Sequence, residues 1–463
     1  MSVNELSQRN VLILDAVHRL LRRGAVRNLT KMVNKMYPVE VAKALRHLDD
    51  PSEKRIVFGL VAGAERRAGV ISELDPNSAV AVFTELTRAE QIDILHGLDT
   101  DDAADLMGLL PADMATYLLE EMSEEHSGGV ADLMGYPAET AGGIMTPQFL
   151  AFPEDTDAQT VISYLQEHAA DAEMVFYLYV VDAGGVLKGV LSLRDLLTVP
   201  PSARLGDIMH APVIKAGVFM DQEAVARLTA RYNLLAVPVV DPDDRLVGII
   251  TVDDVIDVIR EEATEDMLKM SGTGGEGQYI LSVGSLRAYR LRMPWLLVNV
   301  AGGIAGAALL THFSGTLEAM LVLAAFIPVS MALGGSLGLQ SSTIVVRGLA
   351  TGAIEPSDVR RVFLRELRVG ALVGLTCGTL VGGVALLWHN PWLGAVVGLS
   401  LFSASCVAVI TGTLAPVLFQ RLRIDPAISS GPLVTTINDL TGLIIYLGMA
   451  TLMLVRHGAP PAP

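Results

Sequence analysis

Cysteine is nearly absent. Cys377 and Cys406 are the 2 among 463 residues. Both fall in apolar runs, so they read as small packing residues and imply neither a disulfide framework nor a zinc site. Basic residues are missing over a long stretch. No Lys or Arg occurs between Arg88 and Lys188, where 20 Asp/Glu stand. Such a chain repels nucleic acid and anionic lipid and attracts cations. A secretory leader is not expected either. The N-terminal residues are polar, and the run from Val11 to Leu21 is interrupted by Asp15, His18 and Arg19.

What is present is divided in two. Mean hydropathy is +0.45, but the apolar residues lie mostly beyond Arg292. Residues 1–286 hold 23 Lys/Arg against 45 Asp/Glu, a net of −22, and residues 287–463 hold 11 against 6, a net of +5. An apolar run of about 20 residues crosses a bilayer as a helix. Five runs qualify: Met293–Phe313, Leu317–Leu339, Val369–Trp388, Leu393–Leu418 and Leu433–Leu454. Basic residues mark the cytosolic loops. They lie at Arg287, Arg290 and Arg292, at Arg347, Arg360, Arg361, Arg365 and Arg368, and at Arg421 and Arg423. The loops around Ser314 and Asn390 carry none. This predicts a multi-pass protein of the plasma (inner) membrane with its acidic half cytosolic and its C-terminus outside.

Gly370, Gly374, Gly378 and Gly382 recur every fourth residue and permit close helix contact. The dense run Gly334-Gly335-Ser336-Leu337-Gly338-Leu339-Gln340 leaves two readings open, a helix break beside a pore or simple close packing. Inside the five runs the acids are Asp439 and, near an outer end, Glu318. An intramembrane carboxylate is expensive and is a functional candidate by default. Thr435, Asp439, Gly442 and Tyr446 share one helix face, and Gly431-Pro432 opens the helix. No basic residue lies within the runs, so the partner of Asp439 is a mobile cation or a proton. One carboxylate suits Mg²⁺, which keeps several waters. Soft metals would want Cys, His or Met clusters, which the runs lack.

The soluble half holds two repeats. Leu74, Leu86, Leu98, Leu110 and Met122 recur every 12 residues, followed by Asp75, Thr87, Asp99, Pro111 and Ser123. All but the Pro are good helix caps, and Thr87 with Glu90 has capping-box spacing. Short capped helices at constant period predict a helical superhelix. Asp101 and Asp105 share a helix face and repel without a cation. The second repeat has an offset of 59 residues: Val180-Val181-Asp182 matches Val239-Val240-Asp241, and Gly189 to Asp195 matches Gly248 to Asp254. Each copy reads strand, turn, strand, then a helix opened by Ser or Thr, with Met145-Thr146 and Met209-His210 near the starts. This resembles a tandem pair of CBS modules, a regulatory fold that often binds adenine nucleotides.

The order of parts resembles the MgtE family of magnesium channels along nearly the whole chain. Its closest local matches are Thr251–Asp266, Arg361–Glu366, Asp425-Pro426-Ala427, Pro432-Leu433-Val434 and Asp439 to Leu443. The resemblance implies a helical domain over 1–138, CBS modules over 139–204 and 205–262, a connecting plug helix over 263–286 and a five-span domain over 287–463. It implies no enzyme, but a homodimeric, lipid-embedded channel or transporter for Mg²⁺ that takes no nucleic acid. Asp439 becomes the pore carboxylate. Asp101 and Asp105, Asp221, Glu223, Asp254 and Asp257, and Glu262, Glu265, Asp266 and Asp425 become sensor ligands through which cytosolic Mg²⁺ shuts the pore. Tyr177, Arg194 and Asp195 fit the family's ATP positions. The chain departs from the family pattern at Gly69, Asn233, Leu234, Ser336, Leu339 and Gly431. Transport of Co²⁺ or Mn²⁺ on the same scaffold and a proton-coupled carrier remain as alternatives.

Overall fold

The computed structural model describes residues 3–48, 50–168, 174–274, 285–355, 357–388, 391–429 and 431–456. Two compact units emerge, Met1–Val258 and Ile259–Pro463.

The first unit begins with a train of mostly short helices: α1 (Val3–Arg22), α2 (Val26–Val33), α3 (Pro38–Arg46), α4 (Pro51–Gly59), α5 (Ala64–Ser72), α6 (Pro76–Thr84), α7 (Arg88–Gly97), α8 (Thr100–Gly108), α9 (Ala112–Glu121) and α10 (Glu124–Met134). The N-caps of α6 to α10 are Asp75, Thr87, Asp99, Pro111 and Ser123, as the repeat predicts. The period reaches further back, through caps Ala25, Tyr37, Asp50 and Gly63. Leu74, Leu98, Leu110 and Met122 are buried. Most of these helices pack on their next-but-one neighbour, α3 on α5 on α7 and α4 on α6 on α8 on α10, while α9 packs on α8 and α10. Two of the four expected caps work. Asp75 accepts from Ser78 N at 3.1 Å, and Thr87 and Glu90 close a reciprocal box. Asp99 and Ser123 make no side-chain cap bond. Asp99 stands near Asp253 instead. Partial desolvation and then the Asp253 charge push its carboxyl above the usual carboxylate range.

Next come β1 (Ala151–Pro153), α11 (Ala158–His168), β2 (Tyr177–Val181), β3 (Leu187–Ser192), α12 (Leu193–Thr198), α13 (Leu205–Ile208), β4 (Ala216–Gly217), α14 (Gln222–Tyr232), β5 (Ala236–Val240), β6 (Leu246–Thr251) and α15 (Val252–Met270). They form two three-stranded sheets, β1-β2-β3 and β4-β5-β6. The antiparallel registers Tyr177↔Ser192 and Val181↔Leu187 recur as Ala236↔Thr251 and Val240↔Leu246, bulges included. The two starts cross over. Thr146 bridges Ile249 of β6, and His210 bridges Val190 of β3. The repeated Met and Gly explain each other: a Cβ on Gly248 would lie 2.6 Å from the Met145 sulfur, and a Cβ on Gly189 would strike Met209. α15 continues past the expected module end at 262. Residues 275–284 of the expected plug lie outside the described residues.

In the second unit, α16 (Ser285–His312), α17 (Ser314–Ala319), α18 (Ile327–Ala350), α19 (Val359–Trp388), α20 (Pro391–Arg421) and α21 (Pro432–Arg456) supply five segments long and apolar enough to cross a membrane. The second differs from expectation. Its irregular part is a 3₁₀ stretch, Leu321–Phe326, ahead of α18, where Pro328 sits in the first turn. The glycine-dense run is continuous helix, with Gly334, Gly335 and Gly338 buried where α20 and α21 pack. Close packing, rather than a break, explains those glycines. The α19 glycines face α20: a Cβ on Gly378 would lie 2.6 Å from Gly398 O, and one on Gly382 2.7 Å from Gly394 O. α19 also begins ten residues earlier than Val369, at Val359. Arg360, Arg361, Arg365 and Arg368 ride its exposed face, and Glu366 is buried on the other. The expected inventory of intramembrane acids therefore omits one helix-borne carboxylate. Glu366 accepts a hydrogen bond from the Ser341 hydroxyl of α18 at 3.1 Å, which offsets part of the cost of burying it.

Candidate ion site and its acidic surroundings

Asp439 sits on the third turn of α21, half-buried. The Thr435–Asp439 part of its face lies against Gly335 of α18. A Cβ on Gly335 would meet the Thr435 methyl at 3.2 Å and Asp439 Oδ1 at 3.4 Å. Glycine there keeps the carboxylate uncrowded. The C-terminal half of the same face is packed. Gly442 lies beside Ser330, and the buried Tyr446 donates to Leu323 O at 2.9 Å. Among the described residues no basic group contacts Asp439. Its neighbour Asn438 points elsewhere. Asn438 is 1 % exposed, and its Oδ1 accepts from Thr411 of α20.

The start of α21 is tied down. Gly431 adopts φ +57°, and a Cβ there would strike Met270 O, while a Cβ on Gly272 would lie 2.7 Å from Pro432. Lys269 of α15 bridges two expected sensor acids. It donates to Asp425 Oδ2 at 2.5 Å and also to Glu265. Asp425 Oδ1 accepts from Ala427 N at 2.8 Å. Burial pulls the Lys269 ammonium down, but its bonds to Asp425 and Glu265 outweigh that and hold it above the usual lysine range. Glu262 and Asp266 are half-buried on the same helix. The sequence offered no local signal for Lys269, because Asp425 lies 156 residues away.

The remaining expected ligands are dispersed. Asp101 is half-buried and Asp105 exposed on α8. Asp221 caps α14, accepting from Glu223 N at 3.0 Å and Ala224 N at 3.3 Å, and Glu223 pairs with Arg227 at 2.9 Å. Asp254 accepts from the Thr251 hydroxyl. Burial raises its carboxyl; the Thr251 bonds oppose this, and Asp253 and Asp257 add to it. Asp253 and Asp99 are the acids that sequence reasoning missed as candidates. The signal was available: in the 59-residue repeat Asp253 stands where the first copy has Arg194. Among the described residues no three His, Cys, Asp or Glu side chains are grouped to hold one metal ion.

The nucleotide candidates do converge. Tyr177 pairs in register with Ser192. The Ser192 hydroxyl donates to Asp195 at 2.5 Å, and His210 Nε2 lies 3.3 Å from the same carboxylate. The Ser192 bond holds the Asp195 carboxyl below its ordinary range against slight burial, with His210 assisting. Arg194 is exposed beside it. One repeat thus carries a cation in the first copy and an acid at the matching position of the second.

Five segments long and apolar enough to cross a membrane, the last carrying a carboxylate with no basic contact among the described residues, and a paired regulatory fold ahead of them define a membrane transporter with a soluble N-terminal part. Comparison with known proteins agrees. A family profile described as "MgtE: Divalent cation transporter" matches residues 327–449, one for the "MgtE intracellular N domain" matches 17–139, and CBS domains match 141–202 and 205–261. The chain is 37% identical over 95% of its length to the magnesium transporter MgtE of Thermus thermophilus, covering 98% of that protein, and 34% identical over 93% to that of Bacillus subtilis, covering 95%. The crystal structure of the cytosolic domain of the Mg²⁺ channel MgtE in complex with ATP superposes with a TM-score of 0.50 at 35% identity, covering 53% of this chain and 99% of that one. The chain belongs to the MgtE family, a family of transporters and not of enzymes.

Proposed function

We propose that this protein carries Mg²⁺ across the plasma membrane, with Asp439 as the carboxylate that meets the partly hydrated ion. The observation that carries this is a half-buried acid beside Gly335 and Thr435 with no basic neighbour among the described residues. A cation completes it, and Mg²⁺ can do so while keeping several of its waters. The names of the two relatives support the choice of ion. A homodimer brings a second Asp439 to the same path; α16, which has no buried residue within one chain, supports an additional partner surface. The acidic half lies in the cytosol and the C-terminus outside.

The acids serve as the sensor. Asp101, Asp105, Asp221, Glu223, Asp254, Asp257, Glu262, Glu265, Asp266 and Asp425 crowd negative charge that Arg227 and Lys269 offset at Glu223, Glu265 and Asp425, and bound Mg²⁺ favours a compact, closed state. ATP docks at Tyr177, Arg194 and Asp195. The test is Mg²⁺ uptake by purified protein in liposomes, wild type against Asp439→Ala. Loss of uptake in the variant is expected, and equal uptake would remove the proposal. Competition by Mn²⁺ and Co²⁺, and a pH gradient in place of an Mg²⁺ gradient, test the other-cation and proton-coupled readings in the same vesicles.

A further inference from the structure

We infer that Asn438 is the positioning residue for Asp439, fixing the rotation of α21 through a three-helix junction. The inference rests on the reading of Asp439 as the ion-contacting group. Asn438 is 1 % exposed in an apolar span. Its Oδ1 accepts from the Thr411 hydroxyl of α20. Its Nδ2 is buried against Gly338 of α18 and has no hydrogen-bond partner among the described residues. Any Cβ on Gly338 would strike that nitrogen and come within 3.2 Å of Ala408 O, and a Cβ on Gly412 would strike the Gly338 carbonyl. So α18, α20 and α21 meet at one carboxamide, with both facing helices reduced to glycine around it.

Packing alone does not ask for this arrangement. An apolar side chain of similar volume would fill the junction without burying an unpaired donor, which is costly in a dry span. What the amide adds is direction. Its hydrogen bond to Thr411 is oriented, and residues 438 and 439 are about 100° apart around a helix of 3.6 residues per turn. Anchoring Asn438 between α18 and α20 therefore aims Asp439 at Gly335, one turn from Gly338 on the same helix. A side chain held this way stays within the sub-ångström tolerance an ion-binding group needs. Freed of the anchor, α21 can turn by some degrees and carry the carboxylate with it.

The test is the Mg²⁺ dependence of uptake in liposomes, read as half-saturating concentration separately from maximal rate, and the preference for Mg²⁺ over Ca²⁺. Asn438→Ala and Thr411→Val should each raise the half-saturating Mg²⁺ concentration and erode the preference by about tenfold, the scale of one misplaced contact. Thr411→Ser, which keeps the hydroxyl, should behave as wild type. The double variant should be no worse than either single one. Gly338→Ala should abolish uptake, and adding Asn438→Ala should restore folded, monodisperse protein with the shifted half-saturation. Where Asn438→Ala does not fold, Thr411→Val carries the same test. Variants that lose only maximal rate, or additive effects of Asn438→Ala and Thr411→Val, would overturn the inference while leaving Asp439 in place. Uptake indifferent to Asp439→Ala would overturn the parent reading and this one with it.

Discussion

Replacing Lys269 by Met keeps the stem and removes the ammonium that bridges Glu265 and Asp425. The three side chains are 22%, 29% and 32% exposed. A hydrogen bond to a charged group contributes about 1.5–3 kcal/mol when sheltered. Partial exposure discounts that, so the loss is about 1–2 kcal/mol, which lowers Tm by roughly 2–4 °C per kcal/mol in a unit the size of Ile259–Pro463. The substitution also leaves two carboxylates facing a vacated cation position. Mg²⁺ can then enter, and at ten times its Kd it returns about 1.4 kcal/mol. The assay is thermal unfolding of the full chain in detergent, without and with millimolar Mg²⁺. The variant should melt lower without Mg²⁺ and gain more from it than wild type. The pH sign follows from the raised lysine. Its contribution is whole below the ordinary lysine value of about 10.4 and is lost only as pH climbs through the higher folded value. The gap between variant and wild type should therefore be level from neutral pH to mildly basic pH. An unchanged melting temperature, or equal Mg²⁺ gains in both proteins, would refute the reasoning.

Other expectations are simpler to read. Asp254→Asn should stabilise the Met1–Val258 unit at neutral pH without Mg²⁺, because a raised carboxyl destabilises the fold above its folded pKa. The benefit should shrink as pH falls toward the ordinary carboxylate value, and a melting curve that ignores pH would contradict this. Gly378→Val should cost about 1–3 kcal/mol by forcing α19 off the Gly398 carbonyl 2.6 Å away; normal yield and melting temperature would count against that packing. Thr87→Ala should cost about 1 kcal/mol by opening the capping box, measured by chemical denaturation, whereas Ser123→Ala, which removes no cap bond, should cost little.

Much of the fold was legible because its signals are local. A 12-residue period of leucines announced the short helices, and a 59-residue offset announced the paired strands of both sheets, whose shared bulges appear only in the registers. Apolar length announced the spans. What failed did so for definable reasons. Asp99 has the chemistry of a cap but stands near another acid brought by a distant segment. The glycines from 334 to 338 leave a break and close packing equally open in the sequence, and packing against α20 and α21 decides for continuous helix. The arginines before Val369 disguised the first turns of α19 as loop, and with them the buried Glu366. Asp439 stands out as a candidate from its type and place alone. The ammonium of Lys269 and the amide of Asn438 could not, since each acts on residues that only folding brings near.

The crossed starts of the two modules bear on how such a chain can be cut or inherited. Thr146 bonds to β6, in the second copy, and His210 to β3, in the first. A single repeat, expressed alone, would carry a leading segment with no sheet to join and a sheet edge with nothing to cover it. Its one route to a finished fold is to trade segments with a twin. The tandem arrangement thus has the bond pattern of an exchanged dimer written into one polypeptide. A break between residues 204 and 205 should leave two fragments that reassemble with each other more readily than either folds unaided.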